Sequence, residues 1–229
     1  RIMGQLSDIW DVGISAYSRI CVPMPYVREW KEGLLAIKQN GLRYIALSPE
    51  WKSHNAAELK NTALEFGLEL ATILSPKDIS DIRATMLLAE TFEISNVILS
   101  SALWGRVASL EDIPAFCTRL IPFLSMAEAA NAFFLLENHK NGIVNSHLLN
   151  SVIKEIKNPN LQAALDPAGL VMLKRHPFLS DFLPSSIKQQ IRCLSLRDAR
   201  FSDGAIVPVN TGNAELRELI SALECRSYS

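Results

Sequence analysis

Short apolar runs return along this chain at a nearly constant interval, and the stretches between them carry a helical period. The runs lie at residues 10–15, 43–48, 69–75, 96–101, 132–137, 161–166 and 191–197. Their starts are roughly 26 to 36 residues apart, which is room for a strand, a helix and two loops. The intervals show apolar residues at helical spacing, as in Leu59, Ala63, Leu64 and Phe66, or Phe116, Leu120, Leu124 and Met126. Strands that are apolar on both faces and alternate with helices form a parallel sheet covered by those helices, and even repetition favours closure into a ring. The expected fold is therefore α/β, a (β/α)8-type barrel forming a single domain over residues 1–229.

About seven β-α units are recognisable, not eight. After the seventh run come a loop through Asn210-Thr211-Gly212, a helix near 213–223 and six further residues. Either the barrel lacks its last unit, its gap filled by a terminus or a partner subunit, or the sequence as given omits a tail; if the barrel is truly short, a homo-oligomer covering the gap is expected. Asn55, Ser80 and Asn213 are candidate helix N-caps, while Asn40-Gly41 and Gly67 read as helix exits.

Three acids sit at equivalent points of the repeat. Glu137 closes the run Ala132-Phe133-Phe134-Leu135-Leu136, Asp166 closes Leu161-Gln162-Ala163-Ala164-Leu165, and Asp198 follows Ile191-Arg192-Cys193-Leu194-Ser195-Leu196-Arg197. The C-terminal strand ends of a parallel barrel gather on one face, so carboxylates separated by some thirty residues would converge there. His139 lies two residues beyond Glu137, on the same side of an extended segment. Glu50 and Trp51 follow the second run; Glu50 could bind a substrate hydroxyl, and Trp51 could stack on a sugar face or pack a loop over the barrel. Arg200, beside Asp198, is a basic candidate for anion recognition. Asp198 itself could bind substrate or pair with Arg197 or Arg200.

Composition removes several classes. A net charge of −1 with no basic run gives nothing to hold a phosphate backbone, so no nucleic-acid partner is expected. No run approaches the ~18 apolar residues that span a bilayer, so no membrane partner is expected. The four cysteines are scattered without a CxxC pair, which fits a reducing cytoplasm. The chain starts at Arg1, so these readings apply to the sequence as given.

The segments Leu136-Glu137-Asn138-His139, Asn158-Pro159-Asn160-Leu161 leading to Leu165-Asp166-Pro167-Ala168, Leu194-Ser195-Leu196-Arg197-Asp198, and Pro208-Val209-Asn210-Thr211-Gly212-Asn213 resemble the xylose isomerase-like superfamily of sugar phosphate isomerases and epimerases. The resemblance implies a divalent metal, Mn, Mg or Co, held by a glutamate ending the fifth strand, an aspartate ending the sixth, a histidine on the seventh and a glutamate on the eighth. It implies proton transfer between adjacent carbons of a sugar or polyol, with Glu137 as first ligand and catalytic acid/base and Asp166 as second ligand. Three positions depart from the pattern. The seventh-strand histidine is Ser195, and the histidine expected three residues after the sixth-strand aspartate is Gly169; the eighth-strand glutamate has no counterpart. Two ligands in place of four lose geometry and charge compensation. Two functions stay open: a sugar or sugar phosphate isomerase/epimerase, and a degenerate barrel that binds a small polar ligand or serves as a partner subunit. An endonuclease of the same fold would need a histidine-rich metal centre and a basic groove, neither of which is present.

Overall fold

The computed structural model describes residues 21–24, 29–53 and 56–224. Seven strands follow one another in hydrogen-bonded order as they do in sequence: β1 Cys21–Met24, β2 Tyr44–Leu47, β3 Glu69–Ile73, β4 Asn96–Ser100, β5 Phe133–Glu137, β6 Leu161–Leu165 and β7 Ile191–Leu194. The pairings β1–β2, β2–β3, β3–β4 and β6–β7 are parallel. Helices separate them: α1 Trp30–Gln39, α2 Ala56–Glu65, α3 Ile82–Phe92, α4 Ile113–Ala129, α5 Ser146–Ile156 and α6 Pro167–Met172. Beyond β7, a two-residue antiparallel ladder, β8 Asp198–Ala199 with β9 Ile206–Val207, leads to α7 Leu216–Glu224. Among the described residues, no helix is long and apolar enough to cross a membrane.

Two compact units divide the described chain. One runs to Leu99 and adds Ile121–Leu135. It carries β1 to β3 and the first four residues of β4, with Ile45, Leu47, Ile73 and Val97 fully buried. The other gathers Ser100–Leu120 and everything from Leu136. Here Ala168, Val171, Ala199, Val209, Ala214, Leu216 and Ile220 form a buried cluster that packs α6, β8, the 209–214 loop and α7 together.

Six of the seven expected strands start within a residue of their expected places. The run at 10–15 lies outside the described residues. The strand at Cys21–Met24 was not foreseen from sequence, because Pro23 breaks its pattern; as the terminal strand in the sheet order it can tolerate a residue without an amide donor. The seventh strand is shorter than the run that announces it. It stops at Leu194, where the Ser195 amide bonds Leu165 O at 2.9 Å and the Arg197 amide turns back onto Ser195 O at 2.9 Å.

Two caps differ from expectation, and Asn55 lies outside the described residues. A short 3-10 turn, Ile79–Asp81, precedes α3, so the cap falls earlier: Asp78 accepts from the Ser80 amide at 2.8 Å. Asn213 turns away to accept from the Phe201 amide, and Asp198 takes the Ala214 amide in its place. The exits at Gly41 and Gly67 have φ of 71° and 72°, the left-handed geometry that ends a helix.

Candidate functional site

Glu137 is the last residue of β5, and Asp166 follows β6 directly and precedes Pro167 at the start of α6. The two strand ends are tied together by Asn138, which is 1% exposed. Its Oδ1 accepts from the Asp166 amide at 3.4 Å and its Nδ2 donates to Asp166 O at 3.3 Å. This amide bridge, which sequence reading passed over, fixes the stagger of the two carboxylates. The only signal for it was a polar residue inside an otherwise site-like tetrapeptide.

The turn after β5 places His139. Its own amide bonds Ile143 O and its carbonyl receives the Gly142 amide, both at 2.9 Å. A side chain at Gly142 would collide with Ser101 Oγ and the Ala102 backbone, so this close approach requires glycine. His139 Nδ1 accepts from the Asn141 amide at 3.1 Å, which leaves the ring proton on Nε2. Burial, followed by the charge of Lys140, holds the imidazole below its usual pKa, so it is neutral at pH 7 and offers a donor.

Arg197 completes the cluster. The turn that ends β7 brings its guanidinium to 3.4 Å from Asp166 Oδ2, with the Arg197 side chain 53% exposed and that of Asp166 9%. Asp166 Oδ1 is buried and without a hydrogen-bond partner. Burial raises the Asp166 pKa, against the pull of Arg197 and of the Gly169 and Ala168 amides. Glu137 is raised further, to about 7: burial is the largest cause, the negative charge of Asp166 adds to it, and Arg197 opposes it. One carboxylic acid poised near neutrality beside a second acid, a neutral donor imidazole and a guanidinium is an arrangement that can take and return a proton.

The other sequence candidates sit elsewhere. Asp198 is 2% exposed, and its carboxylate accepts from the amides of Ala199, Gly212 and Ala214 at 2.8 to 2.9 Å. It ties the 210–214 loop to β8. Arg200 bonds Asp203 at 2.7 Å across the hairpin. Trp51 and Glu50 belong to the other unit. Trp51 is 1% exposed and packs edge-on against Trp30 at 5.7 Å, while Glu50 pairs with Lys77 at 3.4 Å.

A cavity of about 340 Å³ does not touch Glu137, His139, Asp166 or Arg197; His176, Asp198, Asn210, Glu215 and Arg217 are among its lining. Two of its acids are already engaged: Asp198 by the amides just named, and Glu215, which accepts from the Phe178 and Leu179 amides and meets His176 at 3.4 Å.

The donor set fits a divalent ion poorly. Among the described residues, no three His, Cys, Asp or Glu side chains gather as a metal group. Ser195, just past the end of β7, stands where imidazole was expected, and a Cβ at position 169 would lie 2.8 Å from Asp166 Oδ2, so a larger residue there would displace that carboxylate.

The chain is similar to solved structures of xylose isomerase-like barrels. A xylose isomerase domain protein from Planctomyces limnophilus superposes with a TM-score of 0.69 at 14% identity, over 92% of this chain and 96% of that one. The probable 3-DHS dehydratase involved in petrobactin synthesis from Bacillus anthracis gives 0.70 at 15%, covering 90% and 89%. The 3-keto-D-glucoside 4-epimerase of E. coli gives 0.67 at 13%, covering 92% and 89%. No protein-family model matches the sequence, and no curated protein sequence matches it. The likeness shows the fold alone, that of a TIM barrel, and the strand order agrees with an incomplete (β/α)8 barrel.

Proposed function

We propose that this protein is a sugar or sugar phosphate isomerase or epimerase that moves a proton between a carbon next to a carbonyl and its neighbour, with Glu137 as the base. The observation that carries the reading is the pair of carboxylates on consecutive strand ends, bridged by Asn138 and faced by His139 and Arg197. The sugar epimerases among the structural neighbours support the substrate class.

In this reading Glu137, ionised, removes the proton; the C–H electron pair becomes the C=C bond of an enediolate, and the carbonyl oxygen takes the negative charge. The neutral His139 donates from Nε2 to a substrate oxygen. Asp166 Oδ1, which has no partner among the described residues, accepts a substrate hydroxyl. Return of the proton from Glu137 to the adjacent carbon, with the hydroxyl proton passing to the former carbonyl oxygen, gives the isomer; protonation of the same carbon on its opposite face by water, with Glu137 then losing its proton to the hydroxide left behind, gives the epimer. The Mn, Mg or Co ion implied by the resemblance would be held by Glu137 and Asp166, a donor set that fits it poorly, and no step here depends on it.

The protein would act on a small polyol or sugar in the cytoplasm, as a homo-oligomer. Cys117, buried and with its thiol pushed up first by burial and then by Glu155, behaves as core filling in keeping with a reducing compartment.

The test is proton NMR in D2O with a panel of ketoses, aldoses and their phosphates. Wild-type protein is expected to exchange one carbon-bound proton next to the carbonyl, and Glu137→Gln to lose that exchange by a factor of about 10² or more. Ligand-induced thermal stabilisation with no exchange across the panel would instead establish a binding protein; undiminished exchange in Glu137→Gln would remove Glu137 from the chemistry.

A further inference from the structure

The geometry points to Arg197 as the cation of this site: its guanidinium takes the place beside Asp166 and Glu137 that a divalent metal would need, and it is the group that stabilises the oxyanion formed on the substrate. The inference rests on the reading of Glu137 as a base and names the charge that balances its action.

Four observations meet at this point. Arg197 Nη2 is 3.4 Å from Asp166 Oδ2, a single contact that leaves the rest of a five-donor fork unspent on that acid. The Arg197 side chain is 53% exposed while that of Asp166 is 9%, so the guanidinium stands between a buried acid and the side from which a ligand arrives. Asp166 has been drawn in against α6: position 169 lacks a Cβ, and one built there would come within 2.8 Å of Oδ2 and 3.3 Å of Asn138 Nδ2. A carboxylate so placed excludes an imidazole at 169 and accommodates a planar cation. Finally, β7 stops at Leu194 and the backbone bond from the Arg197 amide to Ser195 O re-aims the chain, so the residue that reaches the site from this strand is Arg197 and not the one at 195.

A guanidinium does part of what a metal does. It offers parallel N–H donors to two oxygens at fixed charge, and it matches the planar, two-oxygen outline of an enediolate. It does not lower the pKa of bound water, so it suits enolisation and not hydrolysis. As the proton passes from carbon to Glu137, the carbonyl π bond opens, the negative charge settles on oxygen, and Arg197 pairs with it. The reverse flow of the same electrons restores the carbonyl, with no outside oxidant or reductant.

The decisive probe is Mn²⁺ alone, followed by electron paramagnetic resonance on the full chain, with circular dichroism confirming the fold. Wild-type protein and Arg197→Lys are expected to bind Mn²⁺ only weakly. Removal of the charge in Arg197→Met is expected to tighten binding at least tenfold, and adding Glu137→Gln to that variant is expected to abolish the gain. A folded Arg197→Met that binds Mn²⁺ no better than wild type, or a gain that survives Glu137→Gln, overturns the assignment. If Arg197→Met fails to fold, a wild-type crystal soaked in Mn²⁺ decides: Arg197 still on Asp166 with no ion between the acids supports the proposal, and an ion on Glu137 and Asp166 with Arg197 displaced refutes it. None of these readouts requires turnover, so they separate failure of this proposal from failure of the isomerase reading.

Discussion

Replacing Glu137 with glutamine should make this protein more stable at alkaline pH and leave it nearly unchanged at acid pH. The reason is the cost of holding a carboxylate in the site. Burial first, and the charge of Asp166 second, raise the Glu137 pKa from 4.5 to about 7. In the unfolded chain this group is ionised above pH 4.5, whereas in the folded chain it keeps its proton until about 7. Between those values the folded state binds more protons than the unfolded one, so stability falls as pH rises, and above about 7 the loss is complete and constant. At 1.36 kcal/mol per pH unit the penalty reaches about 3 kcal/mol, an upper figure because Glu137 keeps some solvent contact. Glutamine carries no such charge. Urea unfolding of both proteins from pH 4.5 to 8.5 should therefore show curves that coincide near pH 4.5 and diverge to about 3 kcal/mol at pH 8, with the variant more stable. A difference independent of pH, or a variant less stable at pH 8, would refute the argument that the site holds Glu137 at an energetic cost.

Other expectations follow from the same contacts. Asp198→Ala should cost about 3 kcal/mol, read by urea unfolding, because three backbone amides lose a charged acceptor in a buried place. Trp51→Ala should destabilise by about 3 to 5 kcal/mol through the cavity left against Trp30, with the loss seen in unfolding before any change in ligand binding. Gly169→Ala should displace the Asp166 carboxylate, which a crystal structure of the variant would show directly, and should lower proton exchange in the D2O assay. The rate of that exchange should rise with pH through about 7 and then level off, as the basic form of Glu137 is populated.

What sequence could and could not convey follows from where the information resides. The strand-end places of Glu137 and Asp166 were legible because each closes an apolar run. Arg197 was hidden, although it stands in plain sight, because the apolar run extends to it; only the turn at Ser195, a backbone event, shows that the strand ends early and that Arg197 faces Asp166. Asn138 was hidden for a similar reason, since its role is a pair of bonds to a backbone 28 residues away. Asp198 shares the sequence position of the two site acids and differs from them in its neighbours. Gly212 lets the loop come so close that the Asp198 carboxylate is consumed by amides, and no pattern in the chain announces that approach. Trp51 could have stacked on a ligand or packed inside; the short 3-10 turn Pro49–Ser53 tucks it inward.

The most direct test is to watch Glu137 itself. With glutamate labelled at the side-chain carboxyl carbon, and Glu137→Gln used for assignment, a 13C NMR titration is expected to give a midpoint near 7 for this group. The midpoint should fall in Asp166→Asn, which removes the like charge, and rise in Arg197→Met, which removes the opposing one. A midpoint near 4.5, unmoved by either substitution, would show an ordinary solvated carboxylate and would contradict the account.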